Sequence, residues 1–359
     1  MRMNGSDIAK NYEESVSRSG MTEPLTIASP YAGIDWRSTS RAKAQFHTHT
    51  NRPKDEDGHS GSEDAHDIVD FYAGNDFGVL TLGDHESRGP PPLTWPWTAL
   101  TDIEPSWENR YPVGQHDEAG PSDTTVELIA IKGLELGRSG DPEDMVSLFS
   151  NLATSPSDDN LPTLQAVEER GGIAWLAHPS RYGTADEWGD RWWREALRSV
   201  EACLGFEIYN PGYDVDESVG IWDVALADLH PERQIWAFAG DDLHVIRDSY
   251  PRAWQTVLLE ERTQSGVRTA LEAGRTFASI VTDSDADGEP PRIDAVIVAN
   301  DTVRLETEAD RIEWISNGTV VGTGPELAVE GSHVPYVRAT VTNAAGRTSI
   351  QPITVTATG

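Results

Sequence analysis

"FGVLTLGDH", Phe77 to His85, is an apolar run that closes on a histidine. It reads as a buried strand whose last residue is an imidazole. The same unit recurs along the chain. Ala44 to Phe46 runs into His47, and "VELIAIKGLE" (126–135) ends at Glu135. "GGIAWLAH" (171–178) ends at His178, and "LGFEIYN" (204–210) contains Glu207. "QIWAFAGDDLH" (234–244) ends at Asp242 and His244. Helical spacing fills the gaps. Ala65, Ile68, Val69 and Tyr72 form one stripe, stopped by Gly74-Asn75. Trp188, Trp192, Ala196 and Val200 form another, and Val219, Trp222, Leu226 and Leu229 a third. Pro162 stands at a first helical position, and a further helix is expected over Val267 to Ala273. Such β-α alternation, with nearly continuous apolar strands, predicts a parallel sheet covered by helices. Six or seven units in succession favour a closed α/β barrel over an open sheet, although periodicity alone does not separate the two.

The barrel is expected over residues 41–282, after a polar N-terminal arm at 1–40 that is mobile or leads in as a strand. "DSDADGEPP", Asp283 to Pro291, reads as a linker. Beyond it, residues 291–359 alternate with period two and show no helix. "RIEWISNGTVVG" (311–322) places Asn317-Gly318 between two strands, a hairpin signal. A small all-β, sandwich-like domain is expected there. Residues 86–125 separate two strands by far more than an ordinary loop. Trp95, Trp97, Trp107 and Tyr111 either wall a pocket or pack on the outside of the barrel, and both readings stay open.

The 359 residues suit two domains, and 37% hydrophobic content supplies real cores. The net charge is −32, and Lys10, Lys43, Lys54 and Lys132 are the only lysines. A uniformly acidic, lysine-poor surface suits a halophilic protein. Its field repels anionic membranes and disfavours polymeric nucleic acid as a partner, leaving small molecules. Cys203 is the single cysteine, so neither an intrachain disulfide nor a cysteine-based zinc site is possible. Met1 to Gly20 lacks an apolar signal-peptide core, and no apolar run reaches the ~18 residues of a membrane span. A cytoplasmic location is expected. Oligomeric state is not encoded in any of these features.

The strand ends carry the functional signal. In a parallel barrel, side chains at the C-terminal strand ends converge on one face. Here those ends carry His47, His49, His85, Glu135, His178, Asp242 and His244. Imidazole and carboxylate form a donor set for zinc, manganese or iron(II). Within each pair, His47 with His49 and Asp242 with His244, an i, i+2 spacing in extended backbone points both side chains the same way. A single strand-end histidine is more often a hydrogen-bonded loop residue. Seven such groups on consecutive strand ends instead predict a shared metal site.

These residues also carry a family likeness. "FHTHT" with a following Asp57-Gly58, "LTLGDHES", "GLELG", "LAHPSRYG", "GFEIYN" and "GDDLH" occur in order between Ala44 and Ala278. In them the chain resembles the polymerase and histidinol phosphatase (PHP) superfamily of metal-dependent hydrolases. The resemblance implies a distorted seven-stranded (β/α) barrel and two or three divalent metal ions, manganese, iron or zinc. It implies phosphoester hydrolysis as the usual activity. The matched metal ligands are His47, His49, Asp57, His85, Glu135, His178, Asp242 and His244. The C-terminal β-segment, "YVRATV" to "SIQPITV", is similar to the carbaryl-hydrolase-like branch, a weaker likeness. Two departures stand out. The Asp-Gly comes three residues late, so Asp55, Asp57 and His59 compete for one ligand role, with Asp57 preferred because Gly58 follows it. Relatives often place a histidine soon after the third-motif glutamate; "ELGRSGDPEDMVSLF" has none, which leaves the third metal open unless His116 supplies it.

The expected chemistry is attack by metal-bound hydroxide between two close metals bridged by Glu135 or Asp242. No G-x-S-x-G motif supports a covalent serine route. Arg181 follows "HPS" and can reach a phosphate; Arg247 is a second candidate, for which a surface ion pair is the slightly preferred reading. His178 or His244 can protonate the leaving group. The first expectation is a phosphoesterase on a small soluble phosphate, a nucleotide among the candidates. The alternatives are hydrolysis of a non-phosphate ester, amide or carbamate at the same site, and a non-catalytic metal-binding protein.

Overall fold

A computed structural model describes residues 25–51, 53–55, 58–86, 128–137, 143–150, 152, 154–247, 250–283, 285 and 288–357. Asp57, His116 and the insertion from residue 87 onward lie outside the described residues, as do the side chains of Asp55 and His59.

The strands of the first part are β1 (Leu25–Ala28), β2 (Ser40–Gln45), the short β3 (Pro53–Asp55) and β4 (Gly58–His59), then β5 (Phe77–Leu80). After them come β6 (Ile129–Ala130), β7 (Gly133–Leu136), β8 (Met145–Leu148), β9 (Ile173–Leu176), β10 (Cys203–Tyr209) and β11 (Trp236–Ala239). The helices are α1 (Ala65–Gly74), α2 (Asn160–Glu169), α3 (Trp193–Ser199) and α4 (Val215–Leu229). β12 (Ala253–Leu259), α5 (Gln264–Glu272) and β13 (Thr276–Val281) complete this part. α1 ends at the expected Gly74. The apolar stripe of α4 buries Ile221, Trp222, Leu226 and Leu229, and Asp214 caps the helix by accepting from the Glu217 N–H. The tryptophan stripe at 188–200 is split between a 3₁₀ turn, Ala185–Asp190, and α3.

The strands do not close into one parallel barrel. β2, β5 and β6 pair parallel, as do β9, β10 and β11. β8, however, runs antiparallel to both β7 and β9, and β12 is antiparallel to β2 and β13. Two sheets result. One has the order β11-β10-β9-β8-β7, and the other contains β13-β12-β2-β5-β6. They meet at two isolated parallel bridges, Thr48 with Leu243 and His85 with Glu135. Apolar periodicity reports burial and not strand direction, which is why the sequence reads as uniformly parallel. The space between the sheets is filled: Trp175 stacks on Phe238 at 4.1 Å and meets Phe46 edge-on at 5.8 Å.

The last strands are β14 (Ile293–Ala299), β15 (Thr302–Thr307), β16 (Arg311–Ser316), β17 (Thr319–Thr323) and β18 (Glu326–Ala328). β19 (Tyr336–Thr342), β20 (Gly346–Ile350) and β21 (Ile353–Ala357) follow. Asn317 and Gly318 both take positive φ, 49° and 70°, and turn the β16–β17 hairpin. β14, β15 and β18 form one sheet. It shares an apolar core, Val303, Leu305, Trp314, Val337 and Ile350 among others, with the strands facing it. Those facing strands continue the large sheet, because β20 pairs with β13 and β1 pairs with β21.

A buried ion pair fixes this β-region against α4. Arg338 donates to both carboxylate oxygens of Asp223, at 2.7 and 2.6 Å, and Tyr336 donates its hydroxyl at 3.0 Å. Trp222 lies under the guanidinium at 4.9 Å. Removing one partner strands a charge in a site where Arg338 is 3% exposed. Asp223→Ala is therefore predicted to lower the unfolding free energy by about 3–5 kcal/mol in denaturant titration. A loss under about 1 kcal/mol, the range of an exposed pair, would show that the contact does not hold the region.

Candidate metal centre

The end of β2 runs on through His47, Thr48 and His49. Thr48 turns away and donates to the Thr81 carbonyl, while both imidazoles face the same side. Gln45 sets their position: its Oε1 accepts from the backbone N–H groups of Phe46, His47 and Asp241. This ties the end of β2 to the end of β11. His85 and Glu135 meet through their bridge. Glu135 lies inside β7 rather than at a strand end, because the run at 126–135 breaks between β6 and β7.

Glu135 is the centre of the cluster, and it is 1% exposed. Its Oε1 lies 3.1 Å from His178 Nε2 and 3.2 Å from His47 Nε2. Its Oε2 lies 2.7 Å from His85 Nδ1 and 3.4 Å from His49 Nε2. Asp242 Oδ1 approaches His49 Nε2 at 2.9 Å and His47 Nε2 at 3.3 Å. His244 closes the cluster, its ring 4.1 Å from that of His49. The structure thus brings together seven of the expected residues. Donor atoms within 4.8 Å of one another form four overlapping groups: His49, His85 and His244; His47, His49 and Glu135; His47, His178 and Asp242; and Glu135, Asp144 and His178.

Electrostatics separates the imidazoles. Burial opposes charge on His47, but the carboxylates of Glu207, Asp242 and Glu135 outweigh it and hold its pKa well above the ordinary value. Burial dominates at His49 and pushes it down to about 3. Burial also opposes charge on Glu135 and Asp242, yet the surrounding histidines hold both carboxyls below the usual range. The donor set fits a divalent cation on a further ground. His47 Nε2, His85 Nδ1 and Glu135 Oε2 are buried and make no hydrogen bond among the described residues. Such atoms, aimed at one another, are costly unless a cation lies between them.

The supports are specific. Glu207 accepts the Nδ1 proton of His47 at 2.9 Å and the backbone N–H of His178 at 3.0 Å, and Asn210 donates to it at 3.0 Å. A proton is thereby held on Nδ1, so that a divalent cation replacing the Nε2 proton would meet the Nε2 lone pair on the side of Glu135 and Asp242. Ser60 Oγ holds His49 Nδ1 at 3.0 Å and accepts from the His85 N–H at 2.9 Å. His178 and Asp242 both have positive φ, 28° and 50°, in residues that disfavour it. The Glu207 carboxylate and the His47 carbonyl hold those two amides in place. At Gly240 any Cβ would collide with the Glu207 carboxylate and with His47 Cβ.

Sequence reasoning did not single out Asp144, Ser60 or Asn210, and it gave Glu207 no role. Asp144 comes from the very segment that lacks the family histidine. It accepts from Arg181 at 3.1 Å and from the Tyr182 hydroxyl, and lies 3.9 Å from His178 Nε2. Burial and the nearby Glu135 raise its pKa. Arg181 stands between the rings of Tyr182 and Tyr213, at 5.2 and 5.9 Å. With Tyr213, His85, Glu135, His178, Asp242 and His244 it lines a cavity of about 290 Å³. Arg247 is exposed and does not line this cavity.

No family model and no curated protein matches the sequence. Among solved structures, a two-domain protein from Bacteroides vulgatus containing a predicted PHP-like metal-dependent phosphoesterase is similar over 93% of this chain and 90% of its own, with TM-score 0.50 and 15% identity. The fold is PHP-like. An amidohydrolase from Chromobacterium violaceum, solved with bound sulfate and no metal, covers 66% of this chain and 97% of its own at 12% identity and TM-score 0.38. The likeness to the Bacteroides vulgatus protein extends over almost the whole chain, the β-region included.

Glu207→Gln keeps the side chain's volume and removes the charge that orients His47. Manganese affinity, measured by calorimetry, is predicted to fall about 10–100-fold while the far-ultraviolet circular dichroism is retained. Unchanged affinity would mean that Glu207 does not act through His47.

Proposed function

We propose that the chain is a metal-dependent hydrolase of a small soluble phosphoester. The supporting observation is the set of four overlapping donor groups, in which Glu135, His47, His49 and His178 each belong to two. Two or three divalent ions, manganese, iron or zinc, would be held by His47, His49, His85, Glu135, His178, Asp242 and His244. Asp144 takes the place that relatives give to a histidine, and Asp57 remains the proposed ligand from the loop after His49. Bound ions would polarise the substrate's oxygens and make a water acidic enough to attack near neutral pH.

The remaining work falls to the chain's own residues. Glu135 offers one oxygen to each side of the cluster, so it is the proposed bridge. Arg181, half-exposed at the cavity wall and stacked near two tyrosine rings, can exchange its bond to Asp144 for a bidentate grip on phosphate. His178 is engaged deep in the cluster, which assigns it to metal. His244 is 43% exposed at the side chain and donates Nδ1–H to the Asp242 carbonyl at 2.8 Å. With its Nε2 not committed to metal, it would be the imidazole best placed to hand a proton to a departing alkoxide. In this reading the two bridged sheets are the halves of the distorted barrel that the resemblance implies.

A second reading, hydrolysis of an ester, amide or carbamate, draws support from the C-terminal β-region and its likeness to the carbaryl-hydrolase-like branch. Assays with manganese on aryl phosphates and matched aryl esters separate the two. Phosphate turnover is expected, and Arg181→Ala is expected to raise KM for the phosphate about tenfold. Turnover of the esters alone would overturn the phosphoesterase reading.

A further inference from the structure

We infer that the cavity adjoining the metal centre is a second, anion-binding subsite for the leaving group, so that the preferred substrate carries a flat ring with its own negative charge. This rests on the hydrolase reading of the metal cavity. The second cavity holds about 270 Å³ and shares Asp242 and His244 with the first. Its other walls include Phe71, Tyr250, Arg247 and Arg252.

The two arginines carry the inference. The chain has 60 acidic against 28 basic residues, and among the described residues most arginines are paired with carboxylates, as Arg191 with Glu143, Arg233 with Glu201, Arg268 with Glu272 and Arg275 with Glu260. The guanidinium groups of Arg247 and Arg252 make no ion pair or hydrogen bond with a described residue. Arg252 Nε is buried without a partner. Asp241 lies on the same wall and feels the charge of Arg252, but its oxygens accept from the Tyr72 hydroxyl and from the Arg252 and Ala253 backbone N–H groups. Asp242 belongs to the metal cluster. Two guanidinium groups on one wall, neither hydrogen-bonded to a carboxylate among the described residues, make a place for an anion in a protein with this acidic excess. Phe71 and Tyr250, on the walls of the same cavity, supply aromatic surface for a planar body.

The test is calorimetric binding to the manganese-loaded protein of phenylphosphonate, 4-carboxyphenylphosphonate and 4-hydroxybenzoate. The carboxylated phosphonate is expected to bind about tenfold tighter than phenylphosphonate. Arg247→Ala with Arg252→Ala is expected to abolish that preference and the binding of 4-hydroxybenzoate. Arg247→Ala alone, at an exposed position, removes part of it and keeps the test readable if the double variant does not fold. Equal affinities in the native protein, or a preference that survives the double variant, would overturn the inference. Selective binding of the carboxylated compounds without any affinity for phenylphosphonate would leave the subsite standing and remove the phosphoryl reading of its neighbour.

Discussion

A single buried carboxylate organises the molecule. Glu135 is shut away from water and ringed by His47, His49, His85 and His178. Taking a carboxylate out of water costs several kcal/mol unless positive charge and hydrogen bonds replace the lost solvation. Protonated imidazoles supply part of that compensation, and His47 is held charged for this reason. His49 is not, because burial suppresses its charge. The ring of donors is therefore unevenly compensated by its own protons. Divalent charge at the centre would resolve the imbalance by satisfying lone pairs on both kinds of donor.

The architecture follows from the need to aim those donors. Two sheets are bridged at their ends, through Thr48 with Leu243 and His85 with Glu135. Both bridges lie at residues of the cluster or beside them. The positive φ angles of His178 and Asp242 and the bare Cα of Gly240 belong to the same economy of space. Each is a local departure from relaxed backbone that the cluster's hydrogen bonds hold in place.

Much of this could be read in the sequence. Apolar runs that stop on His47, His85, His178 and Asp242 announce converging strand ends, whatever the strand directions prove to be. Helix α4 and the Asn317-Gly318 turn were equally plain, because one depends on apolar spacing and the other on a backbone conformation few residues adopt. Strand direction was not readable, since a buried strand looks the same either way; hence the antiparallel β8, β12 and β13. Asp144 was hidden by composition. It sits beside Glu143, and in so acidic a chain neighbouring carboxylates carry no signal; only the fold sends Glu143 to Arg191 and Trp192 and Asp144 to His178. Glu207 did leave a trace, as a lone acid in the otherwise apolar strand "CLGFEIY". Its role needed the 2.9 Å contact with His47.

The account stands on metal at Glu135. Elemental analysis of native protein, loaded with manganese, iron or zinc and then desalted, tests this directly. Two or three tightly held equivalents per chain are predicted, with most of that content lost in a His47→Ala, His49→Ala double variant. A native protein that retains no metal, or a variant that retains as much as the native chain, would contradict it.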